Sequence, residues 1–569
     1  MKTFHKFLLA TILITGVVSC KKNFLDENPD SFLSTSNAFK TVADFTASVN
    51  NIYGLVRGHY YTTNDYIPFY YMYRTDGFWE ITVSTPNMAG DVSPTGLTNF
   101  AWAPHYKIIA EANTIISRLP QSTMKDSDKT LFEAKAKFFR AFAYRALAYL
   151  YGGVPLVLTE TLTPKTDFVR ASRHDVYAQA IEDLKFAATN LPGIAQVKDG
   201  EISNLAAYHL LAEVYNTDGQ YQKAVDAATA VINDPNMGLM TNRFGSRSTV
   251  TPGDAYWDMF QKGNQNRKTS NNRESIWVIQ IETDVPGGAG STTGGSQSGV
   301  YSLERVHAPL VRDVRVNGVA AFNWPMGDYT GGRGVGFMAP SYWFSDTVWK
   351  SDWNKDIRNA NHNFVRSFTS TNPASPLFGK TISTQAPPAG ATGINGNLVA
   401  GKMDRAFYPY QSKATQPYNF PTALYADPSN TDPVQKYLLK SGAGGTYIDQ
   451  YLMREAETYL LRAEAYLGLK NTNLAAIDIN VVRARSNATP IDPGEVTLDY
   501  ILDERLRELG VEERRMLTLM RLGKWVDRVK KCNPFYGTQM KDYYNLWPIP
   551  YSEIERNNGA VLAQNEGYN

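Results

Sequence analysis

Cysteine is scarce. The 569 residues contain two, Cys20 and Cys532, and this excludes a disulfide framework. Histidine is little commoner, with seven scattered copies. No HExxH, GxSxG or Walker loop is present, and no cysteines or histidines cluster at metal-ligand spacing. The glycine-rich "GGRGVGF" at 331–337 has no strand before it and no helix after it, so it reads as a loop and not a phosphate cradle. Neither sign of charge prevails. The formal charge of +2 resides in the first residues, where Lys2 and Lys6 are the only charges. The rest carries 57 − 2 = 55 basic and 55 acidic residues. Such balance argues against nucleic acid, or an anionic membrane surface, as the main partner. Long apolar runs are also missing. "FFRAFAYRALAYLYGGVPLVL" comes closest, but Arg140 and Arg145 interrupt it and two glycines end it. A spanning helix needs about 20 apolar residues.

What is there begins with a short leader. Lys2 and Lys6 form a positive n-region, Phe7 to Val18 an apolar core, and Ser19 the small residue at a cleavage point. Val17-Val18-Ser19-Cys20 resembles a bacterial lipobox. That resemblance implies a lipoprotein signal peptide at 1–19, with Cys20 as the acylated first residue of the mature chain. One acyl chain holds a protein only marginally, at about 0.8 kcal/mol per buried CH₂, and several hold it firmly. Cys532, in "KKCNPFY", has no histidine near it in sequence and reads as a structural thiol.

Helical periodicity dominates both ends. Residues 208–235 fit a tetratricopeptide unit through Tyr208, Leu211, Ala212, Tyr215, Ala224 and Pro235, with Gly219 at the turn. Ala228 stands where an aromatic is expected, so the groove there must be filled from elsewhere. "RAFAYRALAYLYGG" with "YAQAIEDLKFAATNLP" makes a second, spread-out copy, and "YLLRAEAYLGLKNTNLAAIDINVVRAR" a third. Earlier helices are expected at Asn37 to Val56 and His105 to Leu119. Charge-dense "DERLRELGVEERRMLTLMRLGK" has helical spacing, and its Glu504, Arg505, Glu508, Glu512 and Arg515 are expected in ion pairs between helices.

The stretch from Asn236 to Tyr447 breaks this rhythm. Its glycine-rich runs at 287–299 and 387–401 read as mobile connections, and "SIWVIQIE" as a short strand. Trp324, Trp343, Trp349 and Trp353 fall close together there, beside Tyr329 and Tyr342. A second aromatic concentration, "HYYTTNDYIPFYYMYRTDGFWE", spans 59–80 and is followed by Trp102. Aromatics in loops offer flat apolar faces with polar edges. Sugar rings stack on such faces while Asn, Asp and Arg bond their hydroxyls. Equally, such rings can plug irregular segments onto a helical stack. Carboxylate pairs such as Asp346 and Asp352 exist, but acid–base work needs a spatial separation that sequence cannot supply.

Six segments carry a family resemblance: "CKKNFLDENP", "WAPHYKIIAEANTIISRLP", "EAKAKFFRAFAYRALAYLYGGVPLV", "YLMREAETYLLRAEAYLGL", "ERLRELGVEERRMLTLMRLGK" and "LWPIPYSEIERNNGAVLAQNEGY". In this order they resemble the SusD/RagB family of outer-membrane, glycan-binding lipoproteins. The resemblance implies a mostly α fold of four tetratricopeptide-like helix pairs carrying a large, irregular, loop-rich ligand-binding part. The expected division is 20–235 for the N-terminal helical-repeat domain, 236–447 for the irregular insertion and 448–569 for the C-terminal helical part. It also implies a lipid-anchored, surface-exposed protein that captures oligosaccharides, performs no chemistry, and delivers them to a SusC-like TonB-dependent transporter. No cofactor is expected, a structural calcium ion aside. The family's ligand residues form no motif. By position the expected stacking faces are Trp79, Trp102, Trp324, Tyr342 and Trp343, with Arg74, Asp76 and Asn64 as hydrogen-bonding groups. The alternatives are the same architecture serving peptides or another nutrient, a surface glycosidase, and a protein-binding repeat scaffold.

Overall fold

The computed structural model describes residues 39–293, 300–323, 332–415, 418–432 and 435–568. The leader, Cys20 and Trp324 lie outside the described residues. The fold is mostly α. Helix α1 (Val42–Tyr60) starts at a reciprocal cap between Thr41 and Asp44 and buries Phe45, Val49, Ile52 and Val56 along one stripe. Helix α2 (Trp102–Arg118) packs on it. Helix α3 (Asp126–Tyr151) is ended by Gly152, whose φ of 76° suits glycine. Helix α4 (Arg173–Asn190) starts at a second reciprocal cap, Ser172 with Asp175. Arg140 on α3 clasps Asp183 on α4 through two 2.8 Å bonds.

Helices α5 (Asn204–Thr217) and α6 (Tyr221–Ile232) form the unit predicted from its spacing, with Gly219 at φ 74° in the turn. The fourth pair, α7 (Glu455–Gly468) and α8 (Thr472–Arg485), enters only after the whole irregular segment. It nevertheless docks directly on α5 and α6. Asn216 Nδ2 donates to the Leu461 carbonyl at 2.8 Å, and Arg462 Nη1 to Thr229 Oγ1 at 3.0 Å. Buried Ala224 and Ala228 let α7 approach α6 closely. The irregular segment is thus looped out between two neighbouring repeats.

Its root is a two-stranded antiparallel ribbon. The expected strand at "SIWVIQIE" spans Ser275–Ile279 and is buried throughout. It pairs with Gln450–Arg454, the strand that runs straight into α7. Trp277 from the first strand inserts among Tyr53, Phe138, Phe139 and Phe142 of α1 and α3. Part of the glycine-rich run at 387–401 is regular structure. Ala391–Gly393 and Gly396–Asn397 form a hairpin that extends a small sheet through Arg315–Val316. The carboxylate of Asp404 holds its turn, accepting from Ile394 N at 3.0 Å and Asn395 N at 2.8 Å.

The predicted ion pairs form, and they reach further than neighbouring helices. On α9 (Leu498–Glu508), Glu504 meets Arg358 and Arg483, while Glu508 meets Arg358, Arg454 and Arg485. Arg358 comes from the irregular part, so this buried cluster rivets that part to the helical stack. Burying charge costs solvation, which only well-placed partners offset. Among the described residues no helix is long and apolar enough to cross a membrane.

Candidate functional site

The two aromatic concentrations, far apart in sequence, meet in space. Strand β1 (Phe78–Glu80) pairs antiparallel with β2 (Met338–Pro340), setting Trp79 opposite Ala339. The pairing continues at Ile81 N, which donates to the Phe337 carbonyl at 3.0 Å. At the other end Ser341 N donates to the Gly77 carbonyl at 2.8 Å. A single helical turn, Tyr342–Ser345, follows at once.

The expected binding residues do not all face outward. Trp102 opens α2 and is 5% exposed, packed against Tyr106 and Tyr151. It is a core residue because the helix starts earlier than its proline suggests. Asp76 is wholly buried and bonds Arg515 and Arg528. Arg74 is buried too; its Nε donates to Asp91 at 2.7 Å and its Nη2 lies 3.4 Å from Glu80. These two charges organise the segment from beneath and offer a ligand little. Asn64 Oδ1 accepts from the backbone N–H groups of Tyr66 and Ile67, each at 2.8 Å, so it shapes the turn that presents Tyr66.

Trp343 is half-buried. Its Nε1 donates to Asp503 at 2.9 Å and its ring faces the cations of Arg528 and Lys531. Tyr342 is 40% exposed, and its hydroxyl accepts from Met403 N at 3.0 Å. Trp79 is half-buried against Phe535, and its indole N–H has no partner.

The open aromatic surface lies beside Trp79 and is built from tyrosine and phenylalanine, not tryptophan. Tyr66, 37% exposed, stands 5.7 Å from Phe337 and 6.4 Å from Tyr70, centroid to centroid. Directly opposed residues of a β pair point to one face, so Phe337 and Ile81 share a face with Trp79 and Ala339. Two cations frame Phe337: the Arg405 guanidinium at 5.0 Å and that of Arg305 at 5.8 Å. Arg305 is held by both oxygens of Asp65 at 2.9 Å, and Arg405 Nε donates to the carbonyls of Val335 and Gly336, each at 2.9 Å. Burial pushes the Glu80 carboxyl up from its ordinary value, against the pull of Arg74. Tyr66 and Tyr70 belong to the 59–80 aromatic concentration, which is the sequence signal for them. Phe337 closes "GGRGVGF", where nothing marked it.

This arrangement can hold a ring with an apolar face and polar rim, through tyrosine and phenylalanine faces flanked by fixed guanidinium donors. Among the described residues the cysteine, Cys532, and the histidines His105 and His307 are buried. Burial pushes the Cys532 thiol up to about 12, and burial draws His105 and His307 down to about 4. Among the described residues no group of three or more His, Cys, Asp or Glu could hold a metal ion.

Comparison with known proteins gives the same architecture a lineage. Residues 23–216 match a family described as "Starch-binding associating with outer membrane". A SusD-like protein, P2, of Formosa agariphila is 24% identical over 99% of both chains. The starch-binding protein SusD of Bacteroides thetaiotaomicron is 40% identical over 121 residues, 21% of each chain. Among solved structures, a laminarin binding SusD-like protein superposes with a TM-score of 0.62 at 24% identity, covering 93% of this chain and 100% of that one. The SusD family itself matches residues 273–568, more than half of the sequence, and the chain belongs to that family.

Proposed function

We propose that this protein is a surface lipoprotein of the outer membrane that captures oligosaccharides or polysaccharide and hands them to a SusC-like TonB-dependent transporter, without chemistry of its own. The observation that carries the reading is the ring set of exposed Tyr66 with half-buried Tyr70 and Phe337, flanked by Arg305 and Arg405. Aromatic faces beside oriented donors suit sugars better than a charged or extended ligand. Relatives named for starch and laminarin support the same class. The lipobox at Val17 to Cys20 supports anchorage at Cys20, with Lys21 after it in place of the Asp that retains lipoproteins at the inner membrane.

Affinity electrophoresis against a panel that includes laminarin and starch tests the reading. At least one polysaccharide should retard the folded protein. Indifference to every glycan, with binding of peptides, would transfer the same architecture to peptide capture. Release of reducing sugar by the purified protein would make it a glycosidase. Co-purification with its transporter from membranes tests the delivery step.

A further inference from the structure

Helices α4, α6 and α8 are the second helices of three successive pairs, and the last of them is built differently. The outward faces of the first two are charged. Asp175, Glu182 and Lys185 are exposed on α4, and Lys223 and Asp226 on α6. On α8 the outward face is apolar. Leu474 and Ile477 are 37% and 57% exposed, Val481 is half-buried and Ala484 is exposed. Their spacing of three, four and three residues puts them in one stripe. The three charged residues of α8, Asp478, Arg483 and Arg485, are all buried. Asp478 meets Arg462, Arg483 meets Glu504, and Arg485 meets Glu274. The inner face of α8 is apolar as well, through Ala475, Ala476, Ile479 and Val482. A helix that is apolar on both sides belongs in a covered place. Single surface leucines need no explanation, but a contiguous charge-free stripe on the last pair of a repeat stack does, because terminal repeats keep a polar outer face.

The stripe is complementary to itself. With two α8 helices antiparallel about a two-fold axis midway between Ile477 and Val481, each Ile477 meets Val481 of the second copy, and each Leu474 meets Ala484 of the second copy. Both contacts set a larger side chain against a smaller one, and no like charges are brought together. Such reciprocity is what an isologous contact requires. We infer that the outer face of α8 is where a second copy of this chain docks, antiparallel and about a two-fold axis. Four side chains on each copy bury less than the roughly 1,200 Å² at which stable interfaces begin, so the contact is a transient one in solution. Copies confined to one surface meet at a much higher effective concentration, which suits so small a contact. The inference concerns assembly and does not depend on what the aromatic platform binds.

Disulfide trapping of the mature protein tests it, because a covalent bond captures a transient contact. Leu474→Cys combined with Ala484→Cys should give a reducible dimer under a mild oxidant. Within one copy these two positions lie about 15 Å apart along the helix, too far to join. Either substitution alone should give at least tenfold less dimer, because antiparallel pairing holds like positions equally far apart. Adding Ile477→Asp to the double-cysteine chain should cut the yield at least tenfold. Ile477 is exposed, so the melting temperature of that chain should stay unchanged. A double-cysteine chain that remains monomeric overturns the second copy as the occupant. Equal yields from the single and double variants indicate random collision and overturn the antiparallel pairing. A dimer that survives Ile477→Asp places the contact on another face and overturns the inference too. Loss of a co-purifying membrane protein on Ile477→Asp, with no trapped dimer, overturns it in favour of that protein as the occupant.

Discussion

Arg515 and Asp76, 439 positions apart in the chain, clasp each other through two bonds, Nε to Oδ1 at 2.8 Å and Nη2 to Oδ2 at 2.7 Å. Arg528 adds a third bond to Asp76 at 2.9 Å. The clasp fixes the segment that continues into β1, and so sets where the aromatic platform sits. Helix α10 (Arg515–Arg521) and helix α11 (Trp525–Cys532) supply the two arginines.

Removing that carboxylate should therefore unfold and not merely unbind. Asp76→Ala takes the shared carboxylate from two buried guanidinium groups, leaving Arg515 with Glu513 and Arg528 with Asp503 and Asp499, at a cost of about 3–5 kcal/mol. Urea unfolding measures it. Burial pushes the Asp76 carboxyl up, but the Arg515 and Arg528 charges outweigh it and hold the group down to about 2. A depressed folded value means that its contribution is present above the ordinary carboxylate range and lost as pH falls toward about 2.

Glu455, at the start of α7, should produce the opposite pH dependence. It is wholly buried, and burial followed by the nearby Glu274 charge pushes its carboxyl up to about 8. Its contribution to stability is full below the ordinary carboxylate value and is lost as pH rises through about 8. Glu455→Gln, which cannot ionise, should flatten the fall in the urea midpoint between about pH 5 and pH 9. A variant whose midpoint falls as steeply as that of the parent would assign the slope to another group.

On the platform, Tyr66→Ala and Phe337→Ala should each weaken glycan binding by about 1–2 kcal/mol, roughly five- to thirtyfold. Isothermal titration calorimetry with the best polysaccharide from the panel measures this. Tyr66 is exposed, so its variant should melt like the parent. Trp102→Ala is the control in the other direction: it removes a buried ring, costs about 3–5 kcal/mol of stability, and leaves affinity intact.

Where α7 ends, a Cβ on Gly468 would stand 2.5 Å from the Tyr221 ring at the start of α6. Gly468→Ala gains up to about 1 kcal/mol of helix propensity but overpacks this contact by about 1–3 kcal/mol, for a net loss. Trimming the ring with Tyr221→Ala should recover part of that loss, so the double-mutant cycle should show coupling. Additive effects would place the tight contact elsewhere.

Sequence periodicity reached the helices because a buried stripe recurs every three to four residues whatever packs on it. It also reached the Ser275–Ile279 strand and the ion pairs of α9. It did not reach the adjacency of α6 and α7, since the irregular segment between them hides that neighbours in space are neighbours in the repeat. Nor did it separate Trp102 from Tyr66, or Asp76 from Arg305. A ring or a charge has the same letter in a core as on a surface, and only the packing around it decides whether it meets protein or ligand.

The sequence by itself determined the repeat scaffold, the charge balance and the family, and it marked two aromatic-rich segments. The tertiary structure decided which residues of those segments remain accessible. It did so through the β1–β2 pairing, which sets Phe337 opposite Ile81 on the Trp79 face, and through the arginine clasp that holds Asp76 buried while Tyr66 stays at the surface.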